Sequence, residues 1–308
     1  MANPSMLVIG TRGSPLALAQ AHETQDRLSA ALGWPTERIP LSIIKTTGDA
    51  IQDRPLSESG GKGLFTKELD IALVEGAIDL AVHSAKDLPT ALPDGVAIAG
   101  YLPREDARDA FISRRAARLQ DLPEGAVVGS ASLRRQAQVR RLRPDLAVTL
   151  LRGNVGTRLS KLERGEVDAT LLAMAGLRRL GLAEHVTAVL DAGDFLPAVG
   201  QGAIALAVRS GDERVRTAVE SILDADTGHA LAAERAFLSV LDGSCRTPIA
   251  GHGRLEADTL EFRGLVLRPD GSESIEAVRR GAAADAAALG REAGLEIRAR
   301  MPPDFLKS

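Results

Sequence analysis

His83-Ser84-Ala85-Lys86-Asp87-Leu88-Pro89 follows the apolar run Leu80-Ala81-Val82, so Lys86 and Asp87 should emerge at a strand end, within reach of a ligand. A fixed carboxylate there can act as a general acid or base, or stabilise positive charge developing in a desolvated site. A solvated Lys-Asp pair ahead of a proline turn fits the same residues. Arg12 and Ser14 flank the opening of a helix, where a cation, a hydroxyl and free backbone N–H groups form a ready anion site, although an ordinary strand-to-helix loop would look alike. The arrangement recurs. Gly129-Ser130-Ala131-Ser132-Leu133-Arg134-Arg135 follows a second expected strand, and Leu151-Arg152-Gly153-Asn154-Val155-Gly156-Thr157-Arg158 a third. Guanidiniums grip carboxylates through paired N–H groups. If the strand ends face one crevice, as open α/β sheets favour, these arginines converge on a ligand bearing several carboxylates.

Cys245 is the only cysteine, set in the turn Asp242-Gly243-Ser244-Cys245-Arg246-Thr247-Pro248. A lone thiol cannot close an internal disulfide. Small residues before it and a cation after it suit a nucleophile or attachment point; a small buried hydrophobe is the alternative. Gly60-Gly61-Lys62-Gly63-Leu64-Phe65 lacks the spacing and the Ser/Thr after lysine of a nucleotide loop. Lys62 reads instead as a further carboxylate contact, and Phe65 as core or as a stacking surface. His83 reads as structural, and no metal site is expected.

The elements that must position these residues alternate strand and helix. Leu7 to Gly10 precedes a helix opening at Ser14-Pro15, with a capping hydroxyl and a proline in the first turn. Leu41 to Lys45 precedes a helix from about Gly63, and Asp79 to His83 forms a buried strand. Residues 46–62, long, polar and glycine-bearing, read as a mobile active-site loop. A second unit repeats the alternation: strands at Ala126 to Gly129, Ala147 to Leu151 and Ala169 to Ala173, helices from Ser132, Asn154 and Ala175. Ala203 to Val208 and the helix Asp212 to Leu223 return to the first unit, giving two crossovers. The remainder has a helix over Gly228 to Leu241, strands near Glu261 to Leu267 and Glu273 to Val278, and a final alanine-rich helix. The class expected is α/β with a smaller α+β portion.

Composition narrows the function. The chain is 44% hydrophobic, enough for real cores, and no stretch is long and apolar enough to span a membrane. One cysteine and no export signal suggest a reducing cytoplasm. Residues 104–179 hold fifteen Arg and one Lys against nine Asp and Glu, a net of +7 in a chain whose total is −3. Abundance alone is weak evidence in a sequence with 32 Arg and 6 Lys. Single-strand nucleic-acid binding interleaves aromatics with cations, and with 3% aromatics that partner is not expected. A solute receptor would share two α/β domains around an anion cleft; the Cys245 loop and the missing export signal count against it. No heptad or apolar interface stripe is evident, so a monomer is the default.

HSAKDLP, GSASLRRQ, LRGNVGTRLSKL, AGLRRLGL and GSCRTPIAG, taken in order, resemble the porphobilinogen deaminase family, also called hydroxymethylbilane synthases. The likeness covers nearly the whole chain. It implies two domains similar to periplasmic solute-binding proteins and a third presenting the cysteine, here 1–102 plus 201–222, 103–200 and 223–308. It also implies the reaction: four porphobilinogen molecules condensed head to tail with loss of ammonia, the linear tetrapyrrole being released by water. By position, Cys245 matches the thioether attachment of a dipyrromethane cofactor, and Asp87 the catalytic carboxylate. Lys86, Ser132, Arg134, Arg135 and Arg158 match cofactor-binding positions; Arg12, Ser14, Arg152 and Arg179, with Lys62 and Gln201, match substrate-binding ones. Many relatives have Gly-Gly before the cysteine where this chain has Gly243-Ser244, a change small enough for the turn.

Overall fold

The computed structural model describes residues 6–50, 63–242 and 247–306, with 49 and 50 by backbone alone. These residues form two compact units, one built from the chain up to Glu105 together with Ala203–Gly228, the other from Asp106–Gly202 and His229 onward.

In chain order the first unit opens with β1 (Ile9–Arg12), α1 (Pro15–Leu32), β2 (Leu41–Ile44), the single turn α2 (Thr47–Ala50), α3 (Lys67–Val74), β3 (Leu80–Ser84) and β4 (Val96–Tyr101). Then come β5 (Asp109–Ser113), β6 (Val127–Gly129), α4 (Leu133–Leu142), β7 (Ala147–Thr149), α5 (Val155–Glu163), β8 (Ala169–Ala173), α6 (Met174–Arg179) and the short β9 (Ala188–Val189). The chain continues with β10 (Ile204–Arg209), α7 (Glu213–Glu220), α8 (Ala225–Val240), the meander β11 (Ile249–Glu256), β12 (Thr259–Leu267), β13 (Ser274–Ala282), and α9 (Ala286–Arg300).

The first sheet has the order β2-β1-β3-β10-β4, the second β7-β6-β8-β5-β9. Each begins with three parallel strands and their helical crossovers, and each closes with antiparallel strands. The expected α/β class is therefore found. The return of the chain to the first sheet is also found, since β10 lies between β3 and β4 with Leu206 opposite Val82. The third sheet, β11-β12-β13, is antiparallel throughout. Its first strand, β11, and the strands β4 and β5 were not expected from sequence.

Cores follow the layers. Leu7, Ile9, Leu80, Val82 and Leu206 pack with Ala21 and Leu28 of α1 on one face of the first sheet, while Leu69 and Leu73 of α3 pack with Ala81 and Ala207 on the other. Continuous apolar runs such as Leu80-Ala81-Val82 suit strands covered on both faces. In the second unit, Phe237 of α8 meets Phe262 of β12 with ring centroids 5.1 Å apart. There α9 comes so close to α8 that Gly290 faces the Ala233 carbonyl with no room for a Cβ. Among the described residues no helix is long and apolar enough to cross a membrane.

Candidate functional site

In the first unit the site is built at the carboxyl ends of β1 and β3. Ser14 caps α1, its Oγ accepting from Ala17 N at 3.3 Å, and Pro15 occupies the first turn as the sequence suggests. Arg12, the last residue of β1, reaches Asp87 with Nη1 3.9 Å from Oδ2. Asp87 closes a short 3₁₀ turn, Ala85–Asp87, directly after β3, and that turn also carries Lys86. The Asp87 side chain is 34% exposed, so it can meet a ligand while held beside a cation. Arg12 lies 4.2 Å over the Phe65 ring. Of the two readings of Phe65, core or stacking surface, the second is found: it is half-buried and serves as a platform for the guanidinium.

Two further side chains support this corner. Gln20 on α1 and Ser84 at the end of β3 exchange hydrogen bonds, Nε2 to Oγ at 2.9 Å and Oγ to Oε1 at 3.1 Å, pinning the helix to the strand that presents Asp87. His83 is buried, its Nε2 lacks a partner among the described residues, and burial together with the Arg12 charge lowers its pKa to about 4. The imidazole is therefore neutral near pH 7 and adds no charge beside Arg12.

In the second unit Ser132 caps α4, accepting from Arg135 N at 3.4 Å, and Asn154 caps α5, accepting from Thr157 N at 2.9 Å. The first turn of α4 then sends two guanidiniums inward to Asp109, the first residue of β5. Arg135 Nε and Nη2 lie 2.9 and 2.6 Å from Asp109 Oδ1, and Arg134 Nη1 lies 2.7 Å from Oδ2. Gln201 Nε2 donates to the same Oδ1 at 3.0 Å and to the Ala107 carbonyl at 2.7 Å. Burial works to raise the Asp109 pKa, and the two arginine charges overcome it, leaving the carboxyl well below its ordinary value. The second sequence-predicted cluster is therefore tied down by an aspartate that the sequence did not single out.

Arg158, which donates from Nε to the Gly153 carbonyl at 2.8 Å, is pushed down to about 10 by burial and by Arg135 and Arg152. Arg152 Nη1 and Arg134 Nε are buried donors without a partner among the described residues. Arg179, at the end of α6, donates to the Gly202 carbonyl at 3.1 Å. The structure thus brings Arg12, Ser14, Lys86 and Asp87 together at one sheet, and Arg134, Arg135, Arg152, Arg158, Ser132 and Gln201 together in the other unit, with Arg179 held at the Gly202 turn. Lys62 and Cys245 lie outside the described residues.

Glu234, fully buried on α8, was also missed. Its Oε2 accepts from Gly200 N at 2.7 Å and its Oε1 from Gly253 N at 2.8 Å, fixing the turn that carries Gln201. Gly200 and Gly202 have φ of 75° and 90°, a region that favours glycine. A signal existed, because Ala230, Glu234, Phe237 and Leu241 fall at helical spacing and so share one buried face.

A family model described as "Porphobilinogen deaminase, dipyromethane cofactor binding domain" matches residues 7–217, and one described as "Porphobilinogen deaminase, C-terminal domain" matches 229–299. Proteins named porphobilinogen deaminase from Nitrobacter hamburgensis and Nitrobacter winogradskyi are each 60% identical over 300 residues, covering 97% of this chain and 95% of the relative. Among solved structures, a periplasmic substrate-binding protein of an ABC transporter from Coxiella burnetii is similar at 15% identity and a TM-score of 0.44, over 70% of this chain and 92% of that one. Two family models in tandem and relatives matched almost end to end leave one assignment: the chain belongs to the porphobilinogen deaminase family.

Proposed function

We propose that this protein is a transferase of tetrapyrrole biosynthesis, a hydroxymethylbilane synthase that condenses four porphobilinogen molecules head to tail with release of ammonia. The observation that carries this reading is the family match across nearly the full chain, joined to the Arg12–Asp87 corner at the end of the first sheet. Family membership brings with it a dipyrromethane cofactor. The donors present fit such a group, since a dipyrrole bearing acetates and propionates would complete Arg134 Nε and Arg152 Nη1, buried and without a partner among the described residues, and would offset the burial and neighbouring positive charge that lower Arg158. When bound, the dipyrromethane supplies the pyrrole carbon to which the first substrate is joined.

The chain's own residues then divide the work. Asp87 accepts hydrogen bonds from the substrate's ammonium group as the C–N bond breaks and ammonia leaves, and it stabilises the positive pyrrole nitrogen as the methylene becomes electrophilic. Arg12 orients that carboxylate and, with Ser14, Lys86 and the α1 N-terminus, receives a substrate carboxylate. Ser132, Arg134, Arg135, Arg152, Arg158, Arg179 and Gln201 hold further acetate and propionate groups, as does Lys62. Cys245 anchors the cofactor as a thioether. The three-domain division at 1–102 plus 201–222, 103–200 and 223–308, a monomeric state and a cytoplasmic location belong to the same proposal, the last supported by a single cysteine in 308 residues.

The test is the intact mass of the purified protein beside a Cys245→Ala variant. A dipyrrole's mass is expected on the native chain and absent from the variant. An active native chain without added mass overturns the reading.

A further inference from the structure

We propose that Asp109 is a positioning residue for the cofactor: it aims Arg134 and Arg135 so that Arg134 presents its unengaged Nε to a ligand carboxylate. The inference rests on the functional reading above. Asp109 is fully buried at the start of β5, and its oxygens lie 2.6 and 2.7 Å from the guanidinium nitrogens of two cations that themselves are nearly fully buried. Two guanidiniums that close repel each other, and without an anion between them they would turn apart toward water. The carboxylate removes that choice, leaving a trio of net charge +1.

The two arginines are not equivalent in this frame. Arg135 is engaged around its plane: Nε and Nη2 to Asp109, Nη1 to the Leu171 carbonyl at 3.0 Å, and Nη2 toward Gln201 Oε1 at 3.5 Å. The polar contacts of Arg134 gather at one corner, its Nη1 reaching Asp109 and the Leu196 carbonyl, each at 2.7 Å, while its guanidinium lies 5.8 Å from the centroid of the Phe195 ring. The Leu196 carbonyl is itself fixed, because Gln138 bonds both its oxygen and the Leu196 N–H, at 3.0 and 2.8 Å. Arg134 Nε remains buried without a partner among the described residues. A buried unmade donor is costly unless something completes it, and the rigid grip on Nη1 determines where that something must lie. Arg135 and Gln201 act behind Asp109, holding its other oxygen.

The experiment uses the full chain, purified without cofactor from cells that make no porphobilinogen, and then incubated with porphobilinogen. Intact mass reports the fraction carrying a dipyrrole, and thermal melting of the same samples reports folding. Asp109→Asn keeps the shape but not the charge, and is expected to need at least tenfold more porphobilinogen for half loading. Asp109→Glu keeps the charge but displaces it by one methylene, and is expected to need at least threefold more; it carries the test by itself if the Asn variant does not fold. Asp168→Asn is the control, since Asp168 binds Arg115 and Val127 N in the same unit without touching Arg134 or Arg135. It is expected to load within twofold of native. Native-like loading of Asp109→Glu, or of a folded Asp109→Asn, overturns the proposal, as does an equal loading defect in Asp168→Asn at matched melting. Failure of the native chain to gain a dipyrrole overturns the functional reading instead.

Discussion

Glu234→Gln tests whether one buried carboxylate fixes the turn on which Gln201 rides. Native Glu234 accepts from two backbone amides, Gly200 N at 2.7 Å and Gly253 N at 2.8 Å, at a side chain with no exposure. Glutamine retains one acceptor oxygen, so one amide keeps a neutral bond while the other faces an NH₂ group and loses its partner. Orphaning a buried donor that had a charged acceptor costs about 2 kcal/mol, and Glu234→Ala, which orphans both, about 4 kcal/mol. Because every ~1.4 kcal/mol is tenfold, opening at the orphaned amide should become about thirtyfold more frequent in the Gln variant. Hydrogen exchange resolved at Gly200 and Gly253 reads this directly, in the regime where exchange follows the opening equilibrium. The Ala variant should accelerate both glycines together, with the Gln201 side-chain amide becoming mobile. Acceleration of less than threefold at both positions in the Ala variant would refute the reasoning.

His83, neutral in the fold with a pKa lowered to about 4 from an ordinary 6.5, should make folding stability fall with acid: the unfolded chain takes up a proton as pH drops through 6.5, while the folded chain does not until about 4. Its contribution is present above pH 6.5 and declines by about 3 kcal/mol towards pH 4; urea titrations of native and His83→Gln protein between pH 7 and 4.5 should show a shallower loss in the variant, and parallel curves would refute it. Asp87→Ala should lower turnover at least a hundredfold while the cofactor's mass stays on the protein, and turnover within tenfold of native would remove the role assigned to Asp87.

Local chemistry was legible where neighbours in sequence are neighbours in space. Ser14, Ser132 and Asn154 announce helix starts because a capping side chain needs only an amide three residues ahead, and Leu80-Ala81-Val82 announces a strand buried on both faces. Asp109 was hidden for the opposite reason. Its strand, Asp109-Ala110-Phe111-Ile112-Ser113, opens on a charge beside Arg108 and so reads as polar surface, while the cations that pair with it sit at 134 and 135 and a further donor at 201. Phe65 could be read as core or as a stacking surface because hydrophobicity is a property of the residue, whereas stacking beneath Arg12 is a property of the assembled sheet end. The positions of the arginines could be read from the sequence, but their availability could not, since it depends on which carboxylate and carbonyl groups reach them in the fold.

The placement of β10 between β3 and β4 sets a timetable for synthesis. When residues up to Tyr101 have left the ribosome, four of the five strands of the first sheet have been made, and the one that joins β3 to β4 has not. Roughly another hundred residues must emerge before Ile204–Arg209 can take that place. Until then Leu80, Val82 and the backbone groups along β3 have no antiparallel partner, and an unpaired apolar edge invites association between nascent chains. Chains interrupted anywhere in the second unit before β10 would share this defect whatever the soundness of that unit. The corner that presents Asp87 therefore matures late, because the Ala85 amide at its base bonds to the carbonyl of Ala203, at the threshold of the strand that arrives last.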